Sequence, residues 1–164
     1  YPFDNCERVY GEDNTAQMQF LASPLVASCQ GIYYHRLLDT SLSHKVSLNN
    51  IRGNIRFTNM KRQLKAHGYS NEILSLNETA FWKSIVSSYY YYHRYRHRLS
   101  QEEQHEALYL IKYMREQIDT TMLAPSTRWR PGYWKMPSWR LFRLQEEVYF
   151  LLRRLIKKDN STLE

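Results

Sequence analysis

The sequence predicts an all-α fold, a four-helix bundle, and three observations carry that expectation. Apolar residues recur at three- and four-residue steps in several long segments, strand-type alternation is almost absent, and caps or breakers punctuate the chain at helix-length intervals. With 164 residues, 43% of them hydrophobic, the chain fits one domain, 1–164, able to bury about two thirds of its unfolded surface.

The first helix is expected over about 24–38. Ser23-Pro24 reads as a cap followed by proline at the first helical position, and Leu25, Cys29, Ile32 and Leu37 keep helical spacing despite Gly31. A short extra helix is expected over 51–66, where Ile51, Ile55, Met60 and Leu64 precede the stop at His67-Gly68. The next, over about 77–98, opens at the box-like Ser75-Leu76-Asn77-Glu78 and turns Phe81, Ile85, Tyr89 and Tyr92 inward. Ser100-Gln101-Glu102-Glu103 is a capping box that starts a helix over about 100–122, with Ala107, Ile111, Met114, Ile118 and Met122 on its core face. The last helix, about 138–158, begins at Pro137-Ser138 and ends at Lys157 and Lys158, whose charges suit a helix C-terminus. Leu141, Leu144, Val148, Leu151 and Leu155 form its stripe and are expected in the core.

Connection lengths suggest the wiring. Little more than the Ser100 cap separates the second and third long helices, which makes them antiparallel neighbours. The connections on either side are long enough to cross the roughly 30 Å of a 20-residue helix, because extended chain spans about 3.3 Å per residue. Two long crossovers around one short link permit an up-up-down-down bundle.

Residues 89–98, YYYYHRYRHR, put five tyrosines, three arginines and two histidines in ten positions. Tyr89 and Tyr92 continue the inward stripe, while Tyr90, Tyr91, Arg94 and Arg98 lie on the flanks or outward. Outward tyrosine and arginine are the residue types that concentrate binding energy at protein interfaces.

The net charge of +7 and a pI near 9.4 favour acidic partners, among them proteoglycan or the acidic face of a receptor. A specific nucleic-acid module is not expected, because no helix carries a sustained basic face. No apolar run reaches the roughly 18 residues of a membrane span. Nor does the sequence hold a Gly-rich phosphate loop, a His-Glu-x-x-His or a cysteine pair at zinc spacing, so no enzyme, cofactor or metal site is expected. His93 and His97 stand one turn apart, but two ligands are too few for a specific metal site.

A secreted protein is expected from several signs. The chain opens at Tyr1 rather than methionine, and Asn77-Glu78-Thr79 and Asn160-Ser161-Thr162 are acceptor triplets for N-linked sugar at Asn77 and Asn160. Cys6 and Cys29 either close a disulfide loop of about 24 residues, for which the chain-entropy model gives roughly 3 kcal/mol, or stay as buried thiols.

The run from Leu76 through Asn77-Glu78-Thr79-Ala80-Phe81-Trp82 and the tyrosine-rich helix to Ser100-Gln101-Glu102-Glu103-Gln104 resembles the second-to-third helix region of interleukin-6. The last helix, with Trp139 near its start and Leu152-Arg153-Arg154-Leu155 near its end, is similar to that of the interleukin-6 and interleukin-12 alpha family. The resemblance covers roughly 76–158. This chain departs from the family's pattern in having no cysteines beside the second long helix. The resemblance implies a ligand for paired cell-surface receptor proteins of the gp130 class. It also implies two receptor-binding regions: Trp129, Arg130, Tyr133, Trp134, Lys135 and Trp139 around the Pro131-Gly132 turn, and Arg153, Arg154 and Lys157 at the end of the last helix. Charge and aromatic content fit a second class as well, the basic gamete-recognition proteins of the sperm lysin and fusagen type, which act on an egg coat or membrane without enzymatic chemistry.

Overall fold

The computed structural model describes residues 11–25, 27, 30, 46–124 and 138–157, with the backbone alone for 11–15 and 154–157. Among them the chain is helix and connection throughout, with no strand. Helix α1 is Gly11–Ala22. Helix α2, Asn49–Arg52, runs through a 3-10 turn, Gly53–Ile55, into α3, Arg56–Ala66. Helix α4 is Asn71–Tyr95, followed by a 3-10 turn, Arg96–Arg98, then α5, Gln101–Gln117, and α6, Trp139–Lys157.

Most of the helix expected over 24–38 lies outside the described residues. Those of its positions that are described, Pro24, Leu25, Ala27 and Gln30, are not helical. The sequence reading placed no element at α1, whose buried Met18 and half-buried Leu21 make too short a stripe for periodicity to single out.

Local chemistry sets the other boundaries. Helix α3 stops at His67-Gly68, where Gly68 takes φ 68°, its N–H reaching the Lys65 carbonyl and that of Tyr69 the Leu64 carbonyl. This is a Schellman ending, and only a residue tolerant of positive φ fits its turn. Helix α4 therefore starts at once, capped by Ser70, whose Oγ accepts from the Ile73 N–H. The expected start near 77 was too late: Ser75 is inside the helix and donates to the Met122 carbonyl at 2.6 Å.

The capping box of α5 forms as the sequence indicates, with Glu103 N donating to Ser100 Oγ at 3.2 Å and Ser100 N to Glu103 Oε2 at 2.8 Å. Its end is earlier than the expected 122. Asp119 Oδ1 takes the Thr121 N–H at 3.0 Å, and the Asp119 N–H goes to Glu78 Oε2 at 2.8 Å, so both backbone groups leave the helical ladder. The Thr121 side-chain and backbone hydrogen bonds hold the Asp119 carboxyl below its ordinary value.

Helices α4 and α5 pack as antiparallel neighbours, since the end of α5 meets Glu78 while its start meets Arg96 through Gln104. The main core lies around Phe81, Trp82, Ile85 and Tyr89 of α4, Ala107, Ile111 and Met114 of α5, and Ile51 of α2. A second cluster joins Met18 of α1 to Met60 and Leu64 of α3 and Leu74 of α4. Beneath α3, the buried Glu78 pairs with Lys61 Nζ at 2.7 Å. A buried carboxylate of this kind persists only when paired and hydrogen-bonded.

Helix α6 brings the largest departure from expectation. Trp139, Phe142, Glu146 and Phe150 share the face that meets α4, with Phe142 fully buried. The stripe expected in the core is turned outward: Leu141, Leu144, Val148 and Leu151 are all 45% exposed or more, as is Leu152 beside them. Leu155 lies where only the backbone is described. Helix α6 has two apolar faces on opposite sides, and α4 takes the aromatic one. Trp139 and Arg153, near the two ends of α6, reach the adjacent Tyr89 and Tyr90. Helix α6 thus crosses α4 instead of lying along it.

Candidate interaction surface

Where α6 crosses α4, polar and aromatic side chains gather around Glu147. Tyr89 donates its hydroxyl to Glu147 Oε1 at 3.0 Å, Arg96 Nη1 reaches the same oxygen at 3.3 Å, and His93 Nδ1 stands 3.0 Å from Oε2. His93 is buried, its ring 4.9 Å from that of Phe150. Burial pushes the Tyr89 hydroxyl up to about 12, with Arg143 opposing and Glu147 reinforcing the shift. One carboxylate thus accepts from Tyr89 and Arg96, lies beside His93 and ties the crossing together, while α6's other acid, Glu146, is buried.

The outer side has a different chemistry. Tyr90 packs its ring 5.2 Å from Phe150, and the Arg153 guanidinium lies 5.7 Å from the Tyr90 ring centre. Beside them stand Tyr149 and Leu152, both half exposed, continuous with Leu141, Leu144, Val148 and Leu151. Arg140 edges this strip and is exposed, and Arg143, also exposed, turns its guanidinium toward Trp139. With Glu146 buried and Glu147 engaged by α4, the outward surface of α6 presents aliphatic groups and cations.

The fold brings together two sets of residues that the sequence left apart, Tyr90 of the tyrosine tract and Arg153 of the last helix. The other tract residues go elsewhere. Tyr91 accepts from the Ser47 N–H at 3.0 Å and from Asn50 Nδ2 at 2.7 Å, and so anchors the start of α2. Arg94 and Arg98 are exposed, with Arg94 over the Tyr95 ring.

Trp139 does not stand out as an exposed anchor. It is half buried, stacked 5.6 Å from Phe142 and edge-on to Tyr89, because the helix start faces the aromatic core. Trp129, Arg130, Tyr133, Trp134 and Lys135 lie outside the described residues, as do Cys6, Cys29 and Asn160; Arg154 and Lys157 are described in backbone alone. Asn77 is only 8% exposed within α4, and its Nδ2 donates to the Phe57 carbonyl at 3.4 Å. A sugar on that nitrogen would displace this contact and the packing around it.

Spacing analysis missed Glu147 and Tyr149. The signal available was the second apolar period in α6, at Trp139, Phe142 and Phe150, hidden beneath the more obvious leucines.

Among the described residues no helix is long and apolar enough to cross a membrane, and no group of three His, Cys, Asp or Glu side chains is placed to hold a metal ion. Comparison with models of known protein families, with curated proteins and with solved structures finds no match to this chain.

Proposed function

We propose that the chain is a secreted, cytokine-like helical ligand that binds paired cell-surface receptors of the gp130 class and triggers kinase/STAT signalling. The observation that carries this reading is the outward face of α6. Leu141, Leu144, Val148, Leu151 and Leu152 are exposed in one continuous strip, and Arg153 over Tyr90 closes its edge. Contiguous exposed apolar surface with a polar rim marks interaction sites, and tyrosine and arginine are enriched at their energetic centres. The cationic rim and the net charge of +7 favour an acidic receptor face.

The test is signalling. Added to responsive cells, the protein is expected to raise receptor-dependent kinase phosphorylation. Arg153→Glu, which inverts the charge at the rim, is expected to need at least about tenfold more protein for the same response, a loss of about 1.4 kcal/mol. No response in any receptor-bearing cell, or an Arg153→Glu variant as potent as the parent, defeats the reading.

The same face gives some support to a second reading, a basic gamete-recognition protein acting on an egg coat or membrane, since exposed leucines rimmed by arginine also suit a lipid interface. Salt-sensitive disruption of egg envelopes or anionic vesicles, without kinase signalling, would select it.

A further inference from the structure

The continuous α2–α3 stretch and α5 run side by side in the same direction, clipped at one end by Arg52 Nε of α2 on Glu106 Oε1 at 3.0 Å and at the other by Lys61 Nζ of α3 on the Gln117 carbonyl at 2.9 Å. Between the clips lies an open groove of about 480 Å³, within the size range of small-ligand sites. Its charged lining residues are Lys61, Arg62 and Lys65, with no carboxylate among them. Glu78 answers Lys61 from the buried side. Arg62 commits one nitrogen to Asn59 Oδ1 at 2.7 Å and keeps its remaining donors, and Lys65 is exposed. Asp119 also feels the charges of Lys61 and Lys65 but has its Oδ1 occupied by Thr121.

The facing wall is different in kind. Tyr113 lines the groove at 38% exposure, and Tyr109, one turn earlier on α5, is 68% exposed. Ile55 adds apolar surface, while Thr58 and Gln117 add polar groups. Three cations and one tyrosine ring thus line the same groove. The cations make charge-assisted hydrogen bonds to a tetrahedral oxyanion, and the tyrosine face packs against the apolar side of a pyranose.

We propose that this groove binds a sulfated sugar of a cell-surface glycan, with sulfate on Arg62 and Lys65 and the ring against Tyr113. No residue of α6 lines it, and the proposal stands independently of the receptor reading.

The experiment titrates a sulfated disaccharide into the whole chain and reads the affinity by calorimetry. The Arg62→Ala/Lys65→Ala variant is expected to bind at least about tenfold more weakly. Tyr113→Ala is expected to lose affinity likewise, whereas Tyr113→Phe keeps it, since the ring rather than the hydroxyl makes the contact. Arg94→Ala/Arg98→Ala removes the same charge from an exposed surface elsewhere and is expected to bind as the parent does. The desulfated sugar is expected not to bind, and inorganic sulfate, which lacks the ring, to bind at least about tenfold more weakly. Equal loss in the two arginine-containing variants would assign the effect to net charge and overturn the proposal. So would undiminished binding by Arg62→Ala/Lys65→Ala, or inorganic sulfate binding as tightly as the sugar.

Discussion

Tyr89 sits fully buried between Phe142 and Trp139, with its hydroxyl on Glu147. Both burial and the neighbouring carboxylate oppose phenolate formation, so its pKa rises from the ordinary 10 to about 12. The folded state therefore holds this proton more tightly than the unfolded chain. The resulting stabilisation is fully present below pH 10 and is lost as pH rises from 10 through about 12, because the unfolded chain ionises first. Urea midpoints measured from pH 8 to 12 are expected to fall across that interval in the parent and to fall less in Tyr89→Phe; identical profiles would remove Tyr89 from the account.

At the scale of the element, α6 is held by few but concentrated contacts. Glu147 gathers Tyr89, His93 and Arg96 at a crossing where both ends of the helix reach the same stretch of α4. Removing the carboxylate strips Tyr89 and Arg96 of a common acceptor. Glu147→Ala is expected to cost about 2 kcal/mol, read from urea unfolding, with protection from hydrogen exchange lost in α6 before α5. Uniform loss of protection over all helices would contradict such local tethering. The sequence was legible where a local device fixes structure: Ser100 and Glu103 form their box, and His67-Gly68 ends α3. It misled where two local signals compete. Ser70 and Ser75 both resemble caps, and Gly68 decides for the first by stopping α3 immediately before it. In α6 two apolar faces coexist, and spacing cannot say which one α4 receives. The aromatic rings go inward because the neighbouring surface is Trp82, Tyr89 and Tyr90, which edge-to-face and offset packing suits. That choice depends on contacts between residues some 60 positions apart, such as Trp82 with Phe142, which no short window contains.

Over the whole molecule, the α1 to α5 body and α6 present different chemistry to solvent. The groove between α3 and α5 is basic and aromatic, whereas the outward side of α6 is aliphatic with a cationic rim. A ligand that docks on a protein through one and on an anionic sugar through the other would combine specific recognition with retention near the cell surface. The central claim is that the leucine face of α6 is exposed in the free protein and is there to meet a partner. The most direct measurement is the thermal melt of Leu144→Glu/Leu151→Glu, followed by circular dichroism. Both side chains are more than half exposed, so the substitution adds charge to a surface that water already reaches, and the melting temperature is expected to stay within about 3 °C of the parent. A fall of more than about 10 °C, the size expected when buried leucines are replaced by charge, would show that this face is packed inside the folded chain and would contradict the account.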